Sequence, residues 1–302
     1  MPPPRGTPNP IEGPGDYDMV PTIHNDTYPA IDPSKADLSG KAVFVSGASK
    51  SLGKAMAIAF AKGGASYIAL GARSDVSNTE RDCLSAAAAS GRPAPQILPL
   101  KFDVTSVESV DNAATEVRKA FGRIDIIINN AGILSRDMIK DSDPEVWWNT
   151  WNVNLRGPYL VTRAFLPLML EGGEKTFITV SSVGAHCIGA GLNAYQPSKL
   201  AVLRFTEFIC AEYAEQGVLA FSIHPGNIPT DIVGGPENLP DFLKPVFVET
   251  AELSADSLVY LTSEKRDWLA GRYINCTWDL PKLMAKKEEI VKDDKLKVRM
   301  VI

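Results

Sequence analysis

With 302 residues, 45% hydrophobic and 22% charged, the chain has room for one large α/β domain or two small ones and an ordinary globular composition. Its formal charge of −5 offers no electrostatic footprint for a nucleic-acid backbone or an anionic membrane, so neither is an expected partner. No apolar run approaches the ~20 residues that cross a bilayer. The first segment has neither the apolar core of a signal peptide nor the Arg-rich amphipathy of a transit sequence, so a cytoplasmic location is expected. Cys83, Cys187, Cys210 and Cys276 lie far apart with no Cys-x-x-Cys pair, which predicts free thiols, no disulfide framework and no metal site.

Residues 1–37 hold nine of the 22 prolines and −4 of the net charge, and they read as an extended or disordered N-terminal extension. Ile23, Tyr28 and Ile31 are too apolar for a solvated tail, so the part after about Val20 is expected to lie against the domain. From Leu38 short apolar runs alternate with helical stretches, the pattern of a parallel sheet covered on both faces. The expected strands are 42–45, 67–70, 97–100, 124–128, 177–180, 219–223 and 273–276. One long helix is predicted over 143–170, opened by Asp-Pro-Glu and carrying Trp147, Trp148 and Trp151, a cluster read as packing. The domain is placed at 38–280. For the charged tail at 281–302, packing across a subunit boundary and fraying stand as alternatives.

The chemistry-bearing residues sit at strand ends. The first strand runs into Ser46-Gly47-Ala48-Ser49-Lys50-Ser51-Leu52-Gly53 and then a helix, so free backbone N–H groups and the helix dipole face one point, an anion site suited to a pyrophosphate. Taken alone, such a turn is as often an ordinary βα connection. Asp103-Val104 follows the third strand, where the carboxylate can accept from an adenine amino group, and Asn129-Asn130-Ala131-Gly132 follows the fourth. The second strand ends in Arg73 rather than an acid; a guanidinium there suits a ribose 2′-phosphate, with Lys50 as a second cation, and favours NADP(H) over NAD. Arg73 stacking on adenine is the alternative.

Tyr195 and Lys199 are four apart on one helix face. An ammonium beside a phenol, together with the positive ring of an oxidised nicotinamide, favours the phenolate and brings its pKa toward working pH. Ser182 ends the fifth strand and can donate to the same carbonyl oxygen. With Asn154, these residues form a set able to protonate a carbonyl as a nicotinamide delivers hydride.

On these motifs the chain resembles the short-chain dehydrogenase/reductase family over about 38–280, and its longer fungal-type members. The resemblance implies a Rossmann fold with a doubly wound seven-stranded parallel sheet in the order 3-2-1-4-5-6-7. It implies a catalytic set of Asn154, Ser182, Tyr195 and Lys199, with Asn154 ordering a water that links Lys199 to solvent. Cofactor contacts are implied at Ser46, Gly47, Ser49, Lys50, Ser51, Leu52, Gly53, Arg73, Asp103, Val104, Asn130, Ala131 and Gly132, at Tyr195 and Lys199, and at Pro225, Gly226 and Thr230, the last on the nicotinamide carboxamide. The turn departs from the family pattern at Ser46, which keeps the hydroxyl, and at Ser51, which replaces the middle glycine. Relatives also imply a homodimer or homotetramer and a mobile lid at 234–248, whose apolar residues suggest an apolar or aromatic small-molecule substrate.

His186 and Cys187 are read as lining residues, and His224 as structural or backing the cofactor. The leading expectation is an NADPH-dependent reductase of a ketone or aldehyde; the reverse alcohol dehydrogenase uses the same residues, and a non-catalytic dinucleotide-binding protein is the third reading.

Overall fold

Strand β1 (Ala42–Ser46) is buried at every position, as are β5 (Thr176–Val180) and β6 (Leu219–His224), and this explains their near-continuous apolar sequences. The computed structural model, which describes Asp16 and residues 18–300, adds β2 (Tyr67–Ala72), β3 (Gln96–Lys101), β4 (Ile126–Asn129) and β7 (Tyr273–Asn275). All seven pair in parallel in the order β3-β2-β1-β4-β5-β6-β7, as the resemblance implied. Pro99 is tolerated in β3 because that strand is an edge.

Alternation along the strands divides the core. Val43, Val45, Ile68 and Phe221 face helices α1 (Ser51–Lys62), α2 (Ser77–Ala89) and the later α7 (Ala251–Thr262), whereas Phe44, Ala69, Ile127 and Phe177 face α3 (Val107–Phe121) and its neighbours. Helix α3 starts where the Ser106 side chain accepts from Ser109 N and stops at Gly122, in the left-handed region at φ 68.

The single helix expected over 143–170 is three pieces: α4 (Pro144–Trp151), a π-helical turn at Asn152–Arg156, and α5 (Gly157–Leu170). Pro158 accounts for the break, because it has no N–H to give the carbonyl four residues earlier, and its ring clashes with that carbonyl in a regular helix. Gly157 N instead bonds Asn152 O, one residue further back. The turn thereby places Asn154 in the interior. Helix α6 (Tyr195–Tyr213) follows β5.

Of the N-terminal extension, residues 1–15 and 17 lie outside the described residues. The rest lies across the β7 end of the molecule: Val20 and Ile31 are buried, Ile23 bridges Trp278, and His24 N donates to Thr277 O at 2.7 Å. The charged tail folds back on its own domain through α8 (Leu280–Met284) and α9 (Lys287–Lys292), with Tyr273 N donating to Leu296 O at 2.8 Å. Val301 and Ile302 lie outside the described residues. Among the described residues no helix is long and apolar enough to cross a membrane.

Candidate active site

The carboxyl ends of the central strands open onto one cleft of about 560 Å³. Its floor at one end is the turn after β1. Gly53 is fixed by close approach, since a Cβ there would lie 2.2 Å from Gly47 O, so α1 could not begin against the turn with any larger residue. Ser51 sits at φ +47, so the chain retains at this position the left-handed backbone a glycine would supply, and a serine bears the strain. Gly47, Ser49, Lys50, Ser51, Leu52 and Gly53 all line the cleft.

Ser46 does not. It is buried behind the turn, where its hydroxyl donates to Ile128 O at 3.3 Å and accepts from Asn130 N and Ala131 N at 3.0 and 3.1 Å. The Asn130 amide returns the tie by donating to Ser46 O at 2.9 Å. Ser46 therefore holds the two loops together, and Asn130, Ala131 and Gly132 form the adjoining wall.

Arg73, Asp103 and Val104 meet at the far end. Arg73 is exposed. Asp103 Oδ1 accepts from Thr105 N and Oγ1 at 2.9 and 2.7 Å; burial works against ionisation there, but these bonds and the Arg73 charge win and hold the carboxyl below its ordinary range. Lys50 is ion-paired with Asp231 across the mouth, so its charge is engaged with the segment after Thr230.

At the other end stand Ser182, Tyr195 and Lys199, all on the cleft wall, beside Pro225, Gly226 and Thr230. The Tyr195 phenol is hydrogen-bonded to Ser182, whose Oγ also accepts from Gly184 N at 3.0 Å. Burial pushes the phenol up, with the Ser182 bond opposing. Burial also pulls the Lys199 ammonium down to about 8; it donates to Val180 O at 2.9 Å and lies 5.7 Å from the Tyr195 ring centroid. The lysine alone thus does not produce the lowered phenol that the sequence suggests, because desolvation dominates in the protein by itself.

Asn154 lies behind the wall, with Oδ1 accepting from Ile133 N and Nδ2 donating to Ile133 O, both at 2.9 Å. A Cβ on Gly132 would lie 3.4 Å from both Asn154 Oδ1 and Lys199 Nζ, so both groups lie against that glycine.

His224 backs the cleft with its ring fully buried, pushing its pKa down to about 3, so it stays neutral; His186 packs edge-on against Tyr273 at 4.7 Å. Leu243 and Phe247, from the expected lid, close one side over a small cluster with Leu239 and Val246. Cys83 and Cys276 are buried, and all four cysteines are free. No group of three or more His, Cys, Asp or Glu suited to a metal occurs among the described residues.

Sequence reasoning passed over two residues. Glu249 Oε2 accepts from Asn227 N at 2.8 Å and its side chain rests on Gly226, so it braces the Pro225-Gly226 loop from beneath. Arg136 lines the cleft near Leu192. Neither belongs to a spaced motif, and the partner of Glu249 lies on another loop, 22 residues away.

Comparison with known proteins gives a consistent picture. The short chain dehydrogenase family model matches residues 41–237. The chain is 59% identical over 302 residues, the whole of both chains, to the short chain dehydrogenase pigC of Monascus ruber. It is 54% identical over 294 residues to the short chain dehydrogenase tazN of Aspergillus terreus, with 96% of this chain covered but only 63% of that longer protein. Among solved structures, a short-chain type dehydrogenase/reductase from Mycobacterium marinum superposes with a TM-score of 0.71 at 28% identity, covering 82% of this chain and 97% of that one.

Proposed function

Because the chain belongs to the short-chain dehydrogenase family and is thus an oxidoreductase that takes a nicotinamide dinucleotide, we propose that it is an NADPH-dependent reductase of a ketone or aldehyde on an apolar or aromatic small molecule. The observation that carries this reading is the convergence of Ser182, Tyr195 and Lys199 on the wall of the cleft that the glycine turn also lines. The donor set suits the dinucleotide: backbone N–H groups of the turn for the pyrophosphate, the Arg73 guanidinium for a 2′-phosphate, and Thr230 and the Pro225-Gly226 loop for the nicotinamide end. When bound, the dinucleotide supplies the hydride.

The residues of the chain handle the proton and the geometry. Ser182 orients the carbonyl by donating to its oxygen, and Tyr195, kept protonated by burial, gives its proton to that oxygen. Lys199 stabilises the phenolate left behind and holds the ribose. Asn154 fixes the Ile133 backbone beside Lys199 and completes the proton path to solvent. Leu243 and Phe247 exclude water and favour an apolar substrate.

The protein works as a homodimer or homotetramer in the cytoplasm. Support for assembly comes from large apolar side chains exposed on neighbouring helices: Trp148 on α4, Tyr159 on α5, and Leu200 and Phe208 on α6. Calorimetric titration of both cofactors tests the NADP(H) assignment. Arg73→Ala is expected to weaken NADPH by ~1.5–3 kcal/mol and leave NADH nearly unchanged. Equal losses would mean that Arg73 stacks on adenine, and tight NADH binding by the unmodified protein would overturn the preference. Consumption of NADPH at 340 nm against a carbonyl panel tests the activity itself.

A further inference from the structure

The cleft of this net-negative protein is lined by four cations, Lys50, Arg73, Arg136 and Lys199, against two acids, Asp103 and Asp231. Lys50 is paired with Asp231, Lys199 donates to Val180 O, and Arg73 faces the 2′-phosphate in the proposed reaction. Arg136 has no such role: it is exposed, lines the cleft, and no carboxylate of a described residue pairs with it. An exposed guanidinium on the cleft wall with no carboxylate paired to it is a site for an anionic oxygen.

Its position is built. On one side Ser135 Oγ is hydrogen-bonded to Thr150 Oγ1 at 3.0 Å. On the other, Asp137 N donates to Gly191 O at 3.0 Å and Asp137 O accepts from Asn193 Nδ2 at 2.7 Å, while Asn193 Oδ1 is held by Trp147 Nε1 at 2.9 Å. The Arg136 stem runs over Gly191, whose absent Cβ would lie 3.5 Å from its Cγ. Ser135 is therefore fixed to α4 and Asp137 to the loop that leads into Tyr195.

We infer that Arg136 determines substrate specificity by pairing with an anionic oxygen, such as a carboxylate, on an otherwise apolar carbonyl compound. This rests on the reductase reading for its catalytic consequence but not for its binding consequence. The guanidinium offers a planar pair of donors at the mouth, and Leu192, Leu243 and Phe247 enclose the apolar body.

The test uses 3- and 4-acetylbenzoate and their methyl esters with the full-length protein. Each is titrated calorimetrically into the NADP+ complex, and each is assayed for NADPH-dependent turnover. The acids are expected to bind at least tenfold more tightly than their esters, with the preference eroding in high salt. Arg136→Gln, which keeps the stem, should abolish the preference while ester and NADPH binding stay within twofold. No preference for the acids in the unmodified protein, a preference that survives in Arg136→Gln, or a matching loss of NADPH affinity would each overturn the inference, the last by assigning Arg136 to the cofactor. If no ketone is turned over, the reductase reading fails while the binding arm still decides the role of Arg136.

Discussion

Ser51 shows what one side chain does to a turn. The backbone demands a left-handed residue there, at φ +47, and the chain supplies a serine. An L-residue in that region costs roughly 1–2 kcal/mol, partly offset on mutation by the greater unfolded-state freedom of glycine. Ser51→Gly should therefore stabilise by about 0.5–1 kcal/mol, and Ser51→Val, β-branched and poorly suited to positive φ, should destabilise. Urea unfolding midpoints for the pair check this; a Gly variant no more stable than the parent would show that the turn is not strained. Tyr195 carries the chemical prediction. Tyr195→Phe removes the proton donor and its bond with Ser182 but little volume, so turnover should fall ~10²–10⁴-fold with the cofactor dissociation constant unchanged. Retention of more than a tenth of the activity on a good ketone would remove Tyr195 from its role.

Between elements, contacts made across long stretches of chain set the shape of the cleft. Glu249, just before α7, braces the loop after β6, and burial raises its carboxyl from 4.5 to about 7. A carboxyl raised on folding contributes stability that is full below about 4.5 and is lost as pH rises through about 7. Glu249→Gln keeps an oxygen for Asn227 N and cannot ionise, so the variant should gain on the parent by up to about 3 kcal/mol between pH 4.5 and 8. Paired unfolding curves across that range check it, and a constant difference would mean that Glu249 is charged throughout. The sequence shows the elements better than their junctions. The turn at 46–53, the Tyr195 and Lys199 spacing and the buried strands are local patterns, and the structure brings nearly all of those residues to one cleft. Pro158 is the one local sign of the π turn inside the apolar stretch 143–170, and no local pattern shows that the Ser46 hydroxyl turns away from the cleft toward Asn130. Lys50 with Asp231, and Glu249 with Asn227, leave no trace in spacing because their partners are 181 and 22 residues away.

For the whole molecule, the exposed faces of α4, α5 and α6 predict assembly. Tyr159 on α5 meets Phe205 on α6 edge-on at 6.2 Å, and Phe208 stands beside them about half exposed. Light scattering at micromolar concentration should give a dimer or tetramer, and Phe208→Arg should shift it toward monomer; a monomeric parent would remove the interface. Asp16, His24 and Tyr28 of the N-terminal strap are held by residues from far along the chain. His24 pairs with Asp279, the Tyr28 hydroxyl accepts from Leu280 N, and Trp278 donates to Asp16 O, contacts separated by 255, 252 and 262 residues. During synthesis these strap residues therefore emerge long before the segment at 278–280 that holds them. Their docking waits on residues 278–280, and premature termination even shortly before Trp278 would leave Ile23 and Tyr28 without their seat.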